Sequence, residues 1–323
     1  MCAMVLMYSI DNMRDFFIIV FGGLALMFIG IGIGKYAPSL ITSLRSLGAH
    51  AASEIQAEIE PALRFTAQEE EDVIDAAAKS YPNGTSTAVT ADHYIVRDIT
   101  HDKIVFEKDA DRLVPIASLV KLITAVVARQ EIDMETHITV GPKVMSAYGN
   151  TAEFREGETF TARDLMYPLL MVSSNDAAEA LARAHGRPEF IKLMNTFAQS
   201  IGAYETYIAD PAGLSPDTVS SAGDMALVLE WIYIHDPDLL EITRLKTKTV
   251  RYHTWTNPTH FLNWSYYRGG KNGYIPESDR TSAGLFTLDD DKTVYAVVVL
   301  GSSFRDRDVV ALLEKVKKEV AHK

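Results

Sequence analysis

The spacing of hydrophobic positions changes along the chain, and each change predicts an element. Phe16 to Gly34, FFIIVFGGLALMFIGIGIG, is a run of 19 uncharged residues. As a helix it would span about 30 Å, the thickness of a hydrocarbon core. The run predicts a single membrane span at 16–34, preceded by a tail at 1–15. Ala49-His50-Ala51 has the small residues of a cleavage site but lies about fifteen positions past the run, too far for typical signal cleavage, so the span reads as an uncleaved anchor. GIGIGK, ending at Lys35, has neither the preceding strand nor the spacing of a phosphate loop. Gly30 and Gly34 form a GxxxG pattern that small residues common in spans also explain. Residues 35–80 keep rough helical spacing at Ile41, Leu44 and Leu47 and carry the acidic run Glu69-Glu70-Glu71-Asp72, which predicts a helical linker with a solvated face. Tyr81-Pro82-Asn83-Gly84 breaks that pattern and opens a globular domain at 81–323.

From Thr87 the period moves towards two. Tyr94–Arg97 and Ile104–Glu107 predict strands around a turn at Thr100-His101-Asp102. Helical spacing then dominates from Ser118 to about His235. Ser282–Leu288 and Thr293–Leu300 predict a second strand pair, joined at Asp289-Asp290-Asp291, and an amphipathic helix at about 308–321 closes the chain. Strands at both ends with helices between them predict an α+β fold. Its core is one antiparallel sheet, built from distant segments and flanked by helices, with a helical subdomain inserted.

Composition narrows the chemistry. A net charge of −12 argues against nucleic acid as a partner, because phosphate contacts need a basic surface. Cys2 is the single cysteine, which excludes an intrachain disulfide framework or a cysteine metal site. The 9 histidines show no metal-ligand spacing, so no metal or cofactor is expected. Charge does not orient the span: Arg14 and the α-amine face Asp11 and Asp15 on one flank, and Lys35 and Arg45 stand on the other.

One stretch breaks its own pattern. PIASLVKLITA, Pro115–Ala125, predicts a buried helix, with Leu119, Leu122, Ile123 and Val126 at helical spacing. Lys121 stands among them, three residues after Ser118. Positions i and i+3 share a helix face. A serine hydroxyl needs a base beside it to act as a nucleophile, and a desolvated lysine loses preference for its charged form. A backbone N–H near the helix start can also meet an incoming oxygen. Alone, the same pattern describes an N-capping serine and a snorkelling lysine. Two further segments accompany it. Ser173-Ser174-Asn175, which also reads as a helix cap, begins 55 residues after Ser118. Gly269-Gly270-Lys271-Asn272-Gly273-Tyr274, which also reads as a glycine-rich hairpin, has its lysine 98 residues after Ser173.

In this order, with strands before the first and after the third, the segments resemble the serine D-alanyl-D-alanine carboxypeptidases. These low-molecular-mass penicillin-binding proteins belong to the β-lactamase/transpeptidase-like superfamily, whose elements are SxxK, S-x-N or S-D-N, and K-T-G. Asp92 through Lys108 and Asp109 to ASLVKLITA resembles the family's opening. Asp210-Pro211-Ala212-Gly213-Leu214 resembles its DPxGL segment. Gly301-Ser302-Ser303 with Arg305, Asp308, Leu312 and Leu313 resembles its closing strand and helix.

The resemblance implies that Ser118 is the acylated nucleophile and Lys121 its base. It implies that Ser173 relays a proton to the leaving amine and that Asn175 holds Lys121 and the substrate amide. Lys271 would attract the substrate carboxylate, and the N–H groups of Ser118 and Tyr274 would form the oxyanion hole. Substrate binding would fall to Lys271, Asn272, Gly273 and Tyr274. The implied substrate is the peptidoglycan stem peptide, with β-lactams as covalent inhibitors. The implied location is the outer side of the cytoplasmic membrane, with tail 1–15 inside and the span 16–34 as anchor. Asn272 stands where the family has threonine. Its amide can still donate a hydrogen bond, but it is larger. Arg280 and Arg305 are further candidates for the carboxylate.

Three other functions fit parts of the pattern. A β-lactamase of class A uses a deacylating glutamate, and the stretch Asp210–Ser215 has none. A wall-binding pseudoenzyme fits Asn272 but not the complete Ser118, Lys121, Ser173, Asn175 and Lys271 set. A D,D-endopeptidase would share all five residues.

Overall fold

A computed structural model of the chain describes residues 88–288 and 292–321, all within one unit spanning 77–323. The expected tail, span and linker at 1–80 lie outside the described residues, as does the turn expected at 289–291. Among the described residues no helix is long and apolar enough to cross a membrane.

The fold is α+β. Strands β1 (His93–Asp98) and β2 (Lys103–Lys108) form the first expected hairpin. After the two-residue β3 (Val114–Pro115) a 3-10 turn at Ala117–Val120 runs into helix α1 (Lys121–Glu131). The helical region holds α2 (Pro142–Met145), α3 (Ala162–Met171), α4 (Asn175–His185), α5 (Arg187–Ser200), α6 (Ala222–His235) and α7 (Pro237–Arg244). Short strands interrupt it: β4 (His137–Thr139), β5 (Thr159–Thr161), β6 (Val219–Ser220), β7 (Thr247–Val250) and β8 (His253–Thr256). The chain then forms β9 (Tyr267–Ile275), β10 (Asp279–Leu288), β11 (Thr293–Ser302) and α8 (Arg305–Ala321).

The main sheet has the order β2-β1-β11-β10-β9 and is antiparallel throughout. His93–Asp98 pairs with Tyr295–Leu300, so segments about 200 residues apart close it. Alternation along β11 fixes the two faces. Ala296, Val298 and Leu300 pack towards the helical region. Tyr295, Val297 and Val299 pack with Val309, Leu312, Leu313 and Val316 of α8. The sheet is therefore sandwiched, and α1 lies at the centre of the helical side. Every α1 residue from Lys121 to Ala128 is buried. An all-round apolar helix of this kind belongs in a core rather than on a surface.

Two differences from the sequence reading bear on function. The helix expected from Ser118 begins as a 3-10 turn, in which residues i and i+3 eclipse. The glycine-rich segment is not a hairpin but the interior of edge strand β9. Glycines are weak strand formers, and the signal was hidden because they serve close approach instead. A Cβ on Gly270 would lie 2.3 Å from the Ala283 carbonyl oxygen, and one on Gly273 would lie 2.8 Å from the Ser118 nitrogen. Replacing Gly270 by Ala is expected to destabilise the protein by more than about 1 kcal/mol, since both its φ and its neighbours oppose a side chain. Urea titration of wild type and Gly270→Ala measures this.

Candidate active site

Three segments distant in sequence meet at the end of α1. The 3-10 turn presents Ser118, half-buried, after Ala117 in the left-handed region at φ 50°. Such a conformation in a residue with a side chain is strained and must be enforced by its surroundings. Ile116 and its neighbours supply that enforcement. Val114 and Pro115 pair with Ser220 and Val219, the Ile116 N–H donates to the Thr218 carbonyl (3.2 Å), and Thr281 Oγ1 donates to the Ile116 carbonyl (3.2 Å). Gly213 closes over the turn, where a Cβ would sit 1.9 Å from the Ala117 oxygen.

Lys121, fully buried, directs Nζ at three oxygens: Ser118 Oγ (2.8 Å), Asn175 Oδ1 (2.8 Å) and the Ala212 carbonyl (2.5 Å). Asn175 is held with its oxygen towards the lysine because Nδ2 donates to the Tyr148 carbonyl at 2.6 Å. Desolvation pushes the Lys121 amine down to about 7, against the opposing charge of Asp210. A neutral amine has two N–H hydrogens and one lone pair. The two carbonyl-type oxygens accept but cannot donate, so they claim the hydrogens. The lone pair then faces Ser118, whose hydroxyl can rotate to donate. The arrangement can draw a proton from Ser118 Oγ.

The Ala212 carbonyl is held in place by Asp210. The Asp210 carboxylate accepts from the N–H groups of Ala212 (2.9 Å), Gly213 (2.8 Å), Leu214 (3.2 Å) and Ser215 (2.9 Å), and from Thr218 Oγ1 (3.1 Å). Thr124 Oγ1, one turn along α1 from Lys121, ties Pro211 O at 2.7 Å. The sequence had marked this segment only by resemblance and assigned it no role.

Ser173 stands at the turn between α3 and α4 with φ 58°, beside Ser174, whose hydroxyl caps α4 by accepting from the Ala177 N–H (3.0 Å). It is brought to the same loop as Asn175 but is not among the hydrogen-bond partners of Lys121. Lys271, on β9, is buried, and its Nζ donates to the Asn272 carbonyl (2.8 Å). Desolvation, with the nearby charges of Lys121 and Arg305, pushes its amine well below the usual lysine range. The N–H of Gly270 points away from β10 and donates to Thr243 Oγ1 (3.0 Å). Strand alternation turns the N–H groups of Asn272 and Tyr274 to that same outer side. Gly273 brings this strand against the Ser118 nitrogen, which lies 2.8 Å from where a Cβ on that glycine would be. Of the two arginine candidates, Arg280 lies over the Tyr274 ring (5.9 Å to its centre) and donates to the Ser303 carbonyl (3.2 Å). Arg305 is the one whose charge reaches Lys271. No group of residues suited to a metal ion occurs among the described residues.

Residues 77–303 match the D-alanyl-D-alanine carboxypeptidase family. A D-alanyl-D-alanine endopeptidase of Escherichia coli is 30% identical over 222 residues, which cover 64% of this chain and 69% of the relative. A D-alanyl-D-alanine carboxypeptidase of Mycobacterium tuberculosis is 30% identical over 161 residues, 49% of this chain and 54% of the relative. Among solved structures, a D-alanyl-D-alanine carboxypeptidase of M. tuberculosis superposes with a TM-score of 0.66 at 24% identity, covering 70% of this chain and 90% of that one. Penicillin-binding protein D2 of Listeria monocytogenes, in its cefotaxime-bound form, superposes with a TM-score of 0.64 at 22% identity, covering 72% and 98%. The chain belongs to the D-alanyl-D-alanine carboxypeptidase family, the serine D,D-carboxypeptidases built on the penicillin-binding-protein fold.

Proposed function

We propose that the chain removes the terminal D-alanine from peptidoglycan stem peptides through an acyl-enzyme on Ser118. The observation that carries this reading is the Lys121 amine, buried and tied to two carbonyl oxygens so that its remaining valence meets Ser118 Oγ. Ser118 Oγ attacks the carbonyl carbon of the penultimate D-alanine while its proton passes to Lys121. The oxygen of the tetrahedral intermediate takes its negative charge between the N–H groups of Ser118 and Tyr274. Collapse breaks the amide bond. The leaving amine gains, through Ser173, the proton that Lys121 took from Ser118, D-alanine departs, and Lys121 is neutral again. Asn175 keeps Lys121 in register and offers its amide to the substrate. Water then attacks the ester, Lys121 accepts its proton, and Ser118 is regenerated. Lys271, with Asn272 and Gly273 beside it on β9, receives the terminal carboxylate.

A β-lactam ring presents the same amide carbonyl to Ser118. The cefotaxime-bound form of the Listeria relative supports β-lactams as acylating inhibitors here. Residues 16–34 anchor the enzyme in the cytoplasmic membrane, with 35–80 as linker and domain 81–323 on the outer side, where its substrate lies. The E. coli relative named as an endopeptidase favours a second reading, cleavage of D-alanyl cross-links by the same residues. Linear and cross-linked muropeptides offered side by side separate the two.

The first test is D-alanine release from a peptide ending in D-Ala-D-Ala by the full chain in detergent. Wild type is expected to release it, and Ser118→Ala to lose activity by more than about a thousandfold while melting at the same temperature. Equal release by both proteins would remove Ser118 from the mechanism. The amine of Lys121 near 7 sets the pH dependence. Below that value Lys121 is protonated and cannot act as base. Acylation is therefore expected to climb about tenfold per pH unit up to about 7 and then level, read from kcat/KM or from acylation by a fluorescent penicillin. Asn272→Thr tests the third segment. It is expected to raise the rate of penicillin acylation while leaving the melting temperature unchanged.

A further inference from the structure

The charges of Lys121 and Arg305 both act on Lys271. The two lysines are buried, and desolvation drives both amines towards neutrality. A guanidinium stays charged at every accessible pH. The charge that persists beside Lys271 is therefore that of Arg305.

The backbone places Arg305 there. Tyr274 on β9 pairs with Arg280 on β10, and Arg280 pairs with Ser302 on β11. Two strand spacings, about 10 Å, separate Tyr274 from Ser302. Arg305, the first residue of α8, follows three residues later and can reach back across that distance.

Its neighbour is held from two sides. Asp306 is buried, and one oxygen accepts from Arg305 Nε (3.2 Å). The other meets His260 Nδ1 at 2.7 Å. His260 opens a 3-10 turn that leads into β9, and the next residue, Phe261, packs on Tyr267 (5.8 Å) and Phe286 (5.4 Å). Burial opposes ionisation of Asp306, but the His260 hydrogen bond and the Arg305 charge outweigh it and hold the carboxyl below its usual range. Asp306 is thus a fixed anion pinned to the sheet by His260. It engages Nε, the stem side of the guanidinium, and so leaves the Nη1–Nη2 face to meet a carboxylate in a bidentate pair.

We propose that His260 and Asp306 are positioning residues that aim the Nη face of Arg305 at the substrate's terminal carboxylate, beside Lys271. Neither touches substrate. The inference rests on the carboxypeptidase reading for the identity of the anion. Arg305 supplies the permanent charge and Lys271 a short-range donor. Losing Asp306 or its tie to His260 frees the arginine to rotate, which weakens binding of the carboxylate and leaves the Ser118–Lys121 chemistry intact.

The test compares wild type, Asp306→Asn, His260→Ala and His260→Asn in the full chain, with two peptides ending in D-Ala-D-Ala. One has a free carboxylate and the other a C-terminal amide. His260→Ala and Asp306→Asn are expected to raise KM for the free acid about tenfold with kcat within twofold, the size expected for one charge-assisted hydrogen bond. The amide should be unaffected, so discrimination between the two peptides narrows. His260→Asn, whose amide can replace the Nδ1 donor, should restore much of the loss. A parallel fall on both peptides would mean a structural role only, and an unchanged KM would mean that Arg305 needs no positioning; either overturns the proposal. Binding of the two peptides to the same variants in a Ser118→Ala background gives the same comparison without turnover. If wild type releases no D-alanine yet the acid-amide discrimination in binding narrows in His260→Ala and Asp306→Asn, the function reading fails and the positioning inference stands. If Asp306→Asn does not fold, the His260→Ala and His260→Asn pair carries the comparison.

Discussion

The burial of one amine governs the rest of this structure. Lys121 lies on the most enclosed helix of the fold, where a charged ammonium is unfavourable, and it remains there because two carbonyl-type oxygens and one hydroxyl satisfy its nitrogen. Those oxygens come from helix α4 and from the loop after α5. The α4 oxygen is oriented by Tyr148 O, and the Ala212 oxygen by the ring of N–H groups around Asp210. A displacement in any of these elements would cost a buried nitrogen one of its three partners, so the requirement of one side chain fixes the geometry of three segments.

Two of the seven non-glycine residues with positive φ among the described residues lie beside the same atoms. Ala117 and Ser173 both occupy the left-handed region, and each adjoins a residue assigned to the chemistry or belongs to it. At Ala117 the ties of Ile116 to Thr218 and Thr281 sustain that conformation. Close approach of β9 to the nucleophile turn, possible only with glycine at 273, puts the edge of a rigid sheet against a strained turn.

Charge is arranged with the same economy. The chain carries a net −12, yet Lys121 and Arg305 lie near enough to Lys271 for their charges to act on it. Desolvation disfavours the charged form of both lysines, and at Lys271 the neighbouring charges of Lys121 and Arg305 add to it. The two lysines yield, and the arginine, backed by buried Asp306, does not.

Much of this was legible in the chain itself. The strand pairs at its two ends, the central buried helix and the pairing of Ser118 with Lys121 follow from hydrophobic period and from i to i+3 spacing, which act over a few residues. The order of the three segments carried the family resemblance, and with it Asn175 and Lys271. What tertiary structure decided is whatever depends on the backbone or on distant pairing. The carbonyls of Ala212 and Tyr148 complete the lysine's surroundings, but every residue has a carbonyl, so no residue type marks those that matter. Strand β9 was hidden because its glycines serve proximity rather than propensity. The tie between His260 and Asp306 spans 46 positions with no shared pattern. Local sequence specifies which groups are available, and only packing specifies which backbone atoms they meet, because that choice is made by elements folding onto one another.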